Sequence, residues 1–271
     1  MSNNNTLWLG IAMIFFSSCR AFYQSAPVPT PVLKDKGDGD IFLSLHDLQA
    51  SYAITKNIGI SVSGHFDNRT RSIFSDTSGV LASIFDNSLE NLEPKGYHSL
   101  QAGAIFFHPL DETKSAQVGF MSGYYQPSMM IEVSRGFLRK NTDENLKYKC
   151  VKSDFFLSFI HSSKYIDLIT TAKLTGIQYN QMVYTEPLVD KELRKMDSNQ
   201  YPSLKSTYFF IEPSATLRYG FDNFKFNIQA FYSESLSDIR WGSGQVGIAW
   251  GVNYQFNTVK TKKTGRRKMK V

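Results

Sequence analysis

Side chains that alternate between apolar and polar at every second position constrain this chain more than any other feature. Between Gly244 and Phe256, Val246, Ile248, Trp250, Val252, Tyr254 and Phe256 alternate with Gln245, Gly247, Ala249, Gly251, Asn253 and Gln255. A period of two belongs to a β-strand, whose successive side chains point to opposite faces. One face of this strand is wholly apolar and the other is small or polar. The segment before it sets Phe224, Phe226, Ile228, Ala230 and Tyr232 opposite Lys225, Asn227 and Gln229. The segment before that sets Phe209, Ile211, Ala215, Leu217, Tyr219 and Phe221 opposite Glu212, Ser214, Thr216 and Arg218. Asp222-Asn223 makes a tight turn between these two.

Earlier segments follow the same rule. Ile166, Leu168, Ala172 and Leu174 oppose Asp167, Thr171, Lys173 and Thr175. Phe155, Leu157 and Phe159 share one face, as do Val118, Phe120 and Tyr124. A strand runs from Leu100 to Phe107, and LQASYAIT and IGISVSGHF form a hairpin around Lys56-Asn57. The piece IFLSL at 41–45 either extends that hairpin's first strand or stands alone. No stretch reads as a helix. The pattern contains nine strand signals, and single-chain bacterial barrels carry an even number, which leaves eight or ten. The links alternate between short (55–57, 108–115, 162–164, 221–223) and long (67–97, 136–148, 184–205, 235–243). That parity is the habit of transmembrane barrels. A sheet with so many outward aromatics belongs in lipid, where an open edge would leave amides unpaired, so the sheet must close. The expected fold is therefore all-β: a closed antiparallel transmembrane β-barrel of 8–10 strands.

Composition agrees. Aromatics are abundant (21 Phe, 14 Tyr, 3 Trp) while mean hydropathy is only −0.27. That mix suits strands with one greasy and one polar face. The net charge of +6 is a property of the tail, where Lys260, Lys262, Lys263, Arg266, Arg267, Lys268 and Lys270 stand without an acid. Taking those seven from +6 leaves about −1 for the rest.

The amino-terminal run LWLGIAMIFFSSC, Leu7 to Cys19, is too short to span a bilayer, which takes about 20 residues, and suits a secretory h-region. Ser17-Ser18-Cys19 then reads as a lipobox, with cleavage before Cys19 and lipidation of its thiol. Cys150 is the other cysteine. With Cys19 acylated no intrachain disulfide forms, so Cys150 is expected as a small buried filler. Residues 20–40, with Pro27, Pro29 and Pro31, read as an extended tether. The expected organisation is a signal peptide at 1–18, a lipidated tether at 19–40, a barrel at 41–257 and a basic tail at 258–271.

Two stretches resemble a known family. The leader from Tyr23 through Pro27-Val-Pro-Thr-Pro-Val-Leu-Lys-Asp-Lys-Gly37, and the hairpin Leu48-Gln-Ala-Ser-Tyr-Ala-Ile-Thr-Lys-Asn-Ile-Gly-Ile60, are similar to those of outer-membrane β-barrel proteins of the Bacteroidota, many of them lipoproteins. The remainder resembles the family only in pattern. The resemblance implies a lipid-anchored barrel in the outer membrane and carries over no catalytic residues. One departure is that such barrels usually end at an aromatic residue of the last strand. Here Phe256 would fill that place, yet 15 residues follow it.

No metal spacing links His46, His65, His98, His108 and His161, and no HExxH or CxxC motif occurs. Neither a cofactor nor a catalytic set is expected. The lumen-side charges Asp167, Lys173, Glu212, Arg218 and Lys225 mix both signs. They read as an internal ion-pair network that plugs the barrel, with a charge-lined pore as the sharper alternative. Met129, Met130, Ile131 and Val133 either lengthen a strand beyond the membrane or form a partner-binding ridge. Phe74, Val80, Leu81, Ile84, Phe85 and Leu89 form an unusually apolar loop, expected to fold over the barrel mouth. The tail residues Lys262, Lys263, Arg266, Arg267 and Lys268 either stay solvated or contact an anionic periplasmic protein or lipid headgroups. A nucleic-acid partner is not expected. The function read from all this is a non-enzymatic accessory subunit of an outer-membrane assembly, whose partners are membrane lipids and outer-membrane or periplasmic proteins. The alternatives are a small channel or apolar-ligand binder and, third, a hydrolase or acyltransferase.

Overall fold

The computed structural model describes residues 25–67, 92–135, 140–184, 205–221, 223–237 and 245–259. Among them there is no helix, and ten strands follow one another: β1 (Asp38–Leu43), β2 (Asp47–Ala53), β3 (Ile58–Asp67), β4 (Leu92–Pro109), β5 (Lys114–Arg135), β6 (Lys140–Ser162), β7 (Ile166–Tyr184), β8 (Thr207–Phe221), β9 (Phe224–Ser235) and β10 (Gln245–Asn257). Each pairs antiparallel with the next. β1 pairs with β10, Asp38 opposite Asn257 and Leu43 opposite Val252, and so closes the barrel. The strand count is ten because the 41–45 piece is a strand of its own, β1.

Alternation decides which way each side chain points. In β8 every residue from Phe209 to Phe221 alternates between exposed and buried. Phe226, Ile228, Ile248 and Trp250 stand outward, and Trp250 is 63% exposed. An exterior of this chemistry in water would be an apolar patch far larger than a soluble monomer tolerates, and in lipid it costs nothing.

The strand ends sort by parity. Links 54–57, 110–113, 163–165 and 222–223 lie at one end, hereafter the turn end. The strand ends that border residues 68–91, 136–139, 185–206 and 236–244 lie at the other, the loop end, with the short 44–46 turn. In the 110–113 turn the Asp111 carboxylate accepts from the Thr113 hydroxyl and from the Thr113 and Lys114 amides. Those bonds, the Thr113 hydroxyl first, hold its carboxyl below the ordinary value.

The wall is uneven. β4 to β7 have 18, 22, 23 and 19 residues, while β1 and β2 have 6 and 7. At about 3.3 Å per residue and a tilt of about 40°, β5 rises about 55 Å and β1 about 15 Å, against an apolar band of about 25 Å. Two expectations change here. Residues 140–148, expected within a loop, belong to β6, and β4 starts at Leu92 rather than near 100. Beyond the membrane the outward face no longer needs to be apolar, so the hydropathy alternation stops while backbone pairing continues. Met129, Met130, Ile131 and Val133 accordingly lie within β5. The apolar loop residues Phe74, Val80, Leu81, Ile84, Phe85 and Leu89 lie outside the described residues.

Ile228 stands outward midway along β9, opposite Trp250. Replacing it with Lys is expected to cost about 2–4 kcal/mol, the penalty for a cation on a lipid face near the midplane. Urea unfolding of the vesicle-inserted protein, followed by tryptophan fluorescence, measures the difference. A loss below about 0.5 kcal/mol would mean this face is not in lipid.

Candidate functional site: a filled lumen

The interior of the barrel is occupied by the chain's own amino-terminal segment. Residues 26–33 are buried, with Leu33 fully enclosed and Val28 nearly so. The expected tether at 19–40 is therefore corrected over its described part. Residues 25–33 lie inside the lumen, and β1 begins at Asp38 rather than at 41. The proline spacing that suggested a solvated tether serves burial equally well. Pro27, Pro29 and Pro31 carry no N–H, so three donors that would need partners inside the barrel are absent.

The wall satisfies much of what remains. The Val28 amide donates to Gln229 Oε1 at 2.8 Å, and Gln229 Nε2 donates back to the Val28 carbonyl at 3.2 Å. One side-chain amide thus holds both backbone groups of Val28, as a neighbouring strand would. The Lys173 ammonium reaches the Ala26 carbonyl at 3.4 Å, and Arg218 Nη2 donates to the Thr30 carbonyl and, at 3.2 Å, to the Thr30 hydroxyl. The Val32 amide donates to Asp40 at 2.9 Å, and Gln117 Nε2 donates to the Leu33 carbonyl at 3.4 Å. At the upper end the Ser25 hydroxyl donates to Glu212.

The five charges expected in the lumen are all buried there. β7 and β8 bring Lys173 and Glu212 face to face, 2.7 Å apart, because the two are register partners. Lys225 meets Asp167 at 2.7 Å, and the Ser162 hydroxyl donates to the same carboxylate at 2.5 Å. Arg218 is opposite Asp167 in register, yet it crosses the lumen to Asp40 of β1 at 2.7 Å. Lys152 and Asp154, 3.6 Å apart, add a fourth pair. The Thr175 hydroxyl joins this pair to the first, 2.7 Å from Asp154 and 2.5 Å from Glu212. Four cations therefore face four anions, a balance that burial in a low-dielectric interior requires.

Sequence reasoning passed over Asp40, Lys152 and Asp154. The last two were legible: 152, 154 and 156 oppose the outward Phe155, Leu157 and Phe159 on β6. Asp40 was hidden in the acidic run of the leader. The buried His65 takes Asp47 on its Nδ1 and stacks on Tyr97, with ring centroids 4.0 Å apart. Above the ion pairs, Tyr97 packs against Tyr125, and Tyr148 and Tyr208 pack edge-on against Tyr179. Towards the turn end the lumen holds apolar clusters beside the Lys225–Asp167 pair, whose ammonium also reaches the Ser163 carbonyl of the 163–165 link at 3.4 Å. Leu33 packs with Ala53 and Phe107, Val32 with Ile160 and Ile169, and Phe156 with Ile105 and Met121. The Phe156 ring lies over Gly119, where a Cβ would fall 2.1 Å from Cζ. A cavity bounded by Pro27, His65, Gln101 and Asp154 has room for about one water. No group of three metal-ligating side chains occurs among the described residues. Cys150 is buried with a free thiol. Cys19 and the tail residues Lys262, Lys263, Arg266, Arg267 and Lys268 lie outside the described residues.

No family model matches this chain, and no curated protein matches it. Among solved structures it is similar to the crystal structure of the outer membrane protein OprG from Pseudomonas aeruginosa, at 10% identity and a TM-score of 0.37, over 83% of this chain and 98% of that one. The architecture rests on the strand pairing itself.

Replacing Glu212 with Gln removes the carboxylate from Lys173 while keeping the side chain's size. A buried cation left without its partner is expected to cost about 3–5 kcal/mol, whereas the paired change Lys173→Met with Glu212→Leu is expected to cost far less. Urea midpoints of the two variants in phospholipid vesicles compare them. Equal losses would mean the pair is not buried.

Proposed function

We propose that this protein is an outer-membrane β-barrel lipoprotein with a sealed lumen, acting as a non-enzymatic accessory subunit of an outer-membrane assembly. One observation carries the reading: residues 25–33 fill the barrel from the Gln245 level down to the Leu33, Ala53 and Phe107 cluster at the turn end. A barrel whose interior is packed with its own chain and with ion pairs presents only its outer surfaces to other molecules. Its lipid face serves for anchoring, and the tall β4–β7 wall and loop-end links serve for contact. The wall rises about 30 Å beyond an apolar band of about 25 Å, which is far more than crossing the membrane needs. The resemblance of the leader and first hairpin to Bacteroidota outer-membrane lipoproteins supports the location and the anchor at Cys19. The basic tail, beginning after β10 at the turn end, is suited to an anionic periplasmic partner.

In planar bilayers the purified protein is expected to give no single-channel steps, and deletion of residues 25–33 is expected to produce them. Steps from the intact protein would overturn the sealed reading in favour of a channel. In a mild-detergent pull-down from native membranes, with a tag inserted in the 185–204 link, stoichiometric partners are expected. Removal of 258–271 is expected to release those held through the tail. A lone barrel with no partner would overturn the accessory role.

A further inference from the structure

We propose that the outer face of β6 just past the apolar band, where Lys147 and Lys149 stand beside the amides of Gln126 and Gln178, is a docking site for the phosphate headgroup of an anionic phospholipid in the leaflet nearest the loops. The site rests on the barrel's place in a bilayer and stands whether or not the barrel serves as an accessory subunit.

The level of the site is set by where the apolar face ends. On β6 the outward residues Phe159, Leu157, Phe155 and Val151 are exposed and apolar, and the next two outward positions are Lys149 and Lys147. Tyr124 of β5 and Leu100 of β4 end the run on their strands in the same way, and the next outward residues there are Gln126 and His98. Val151 is opposite Tyr124 on one side and Gln178 on the other. Because Tyr125 is opposite Cys150, Gln126 and Lys149 are the next outward residues on neighbouring strands, and Lys149 has Gln181 opposite it on β7. Lipid headgroups lie at this boundary, where the apolar band gives way to polar side chains.

The charge of the strip has one sign. Lys147 and Lys149 are exposed on the same face, about 7 Å apart along the strand. Among the described residues neither forms an ion pair, and the outward groups around them, His98, Gln126, Gln178, Asn180 and Gln181, include no carboxylate. At the turn end, by contrast, Lys114 has Asp111 at 3.6 Å. Two ammonium groups side by side are best served by one anion that both can reach, and their flexible four-carbon stems let them converge on it. The Tyr124 hydroxyl donates to Gln126 Oε1 at 2.6 Å, which leaves the Gln126 NH2 group to donate to a ligand oxygen. A lipid brings acyl chains as well, and the wall below has room for one. The outward row Ala102, Ser122, Ser153 and Gly176 is in register across β4 to β7, with Leu100, Tyr124 and Val151 on one side and Phe120, Phe155 and Leu174 on the other. The Ser122 hydroxyl donates to the Lys152 carbonyl at 3.3 Å and accepts from Ser153 at 2.9 Å, so neither hydroxyl offers an unmet donor to hydrocarbon.

The test is native mass spectrometry of the purified, folded barrel released from micelles holding phosphatidylglycerol and phosphatidylcholine in equal amounts, which counts the lipids it retains. Preferential retention of phosphatidylglycerol is expected, falling about fivefold with Lys149→Gln and about fivefold again when Lys147→Gln is added. Lys149→Arg keeps the charge and is expected to keep the preference. Lys36→Gln with Lys56→Gln, which removes two exposed cations from the turn end, is expected to leave it unchanged. Heat-modifiable gel migration verifies that each variant is folded. An unchanged preference without Lys147 and Lys149, or an equal loss in the turn-end variant, would overturn the site. Displacement of the lipid by inorganic phosphate, at an ionic strength where sodium chloride leaves it bound, would make the ligand the free anion and overturn the lipid assignment. In intact cells, Gln178→benzoylphenylalanine is expected to crosslink to lipid on irradiation. A protein adduct in its place would make the occupant a polypeptide and overturn the assignment as well.

Discussion

A strand surrounded by hydrocarbon has nowhere to send its amides except to another strand, and every other property of this protein follows from that constraint. Ten strands satisfy one another in sequence, and the last requirement is met by the six-residue β1, which seals β10 to β2. β1 also brings Asp40 into the lumen, where Arg218 of β8, three strands round the wall, meets it and, with the same guanidinium, holds the Thr30 carbonyl. The closing strand is thus fastened on three sides: to its neighbours by backbone ladders, across the barrel by charge, and to the inner segment through Arg218.

Closing the sheet creates a second problem, because a barrel of this diameter encloses more space than its own side chains fill. The chain meets it with an extended segment whose prolines lack donors and whose remaining polar groups are matched to Gln229, Lys173, Arg218 and Gln117. Ion pairs occupy the middle of the lumen and, with Lys225 and Asp167, its turn end, where apolar clusters also pack. Charged groups in such a place are stable only as pairs, so the lumen is a set of mutually dependent contacts rather than a lining. The uneven wall adds direction, since the tall β4–β7 side extends past the membrane and the β1–β2 side does not.

Much of the wall was legible from residue alternation alone. Of the outward face of β10, read as Val246, Ile248, Trp250, Val252, Tyr254 and Phe256, four stand exposed and Val252 and Phe256 are half-buried, and the inward charges of β7 to β9 lie where the period of two puts them. Alternation failed where its cause was absent. In the upper parts of β5 and β6 the strands have left the apolar band, so nothing forces one face to be greasy, and 140–148 looked like a loop.

The sequence by itself determined that this chain makes a closed antiparallel sheet with an apolar exterior and a charge-balanced interior, because a period of two and unpaired amides in lipid leave no other solution. Only the tertiary structure decided what the Pro27–Pro31 segment does. Extended, donor-poor backbone is equally compatible with water and with a polar lumen, and no local signal separates the two. The choice is made by Gln229, Lys173 and Arg218, about 150 to 200 residues away in the chain, which meet the segment only once the barrel has closed around it.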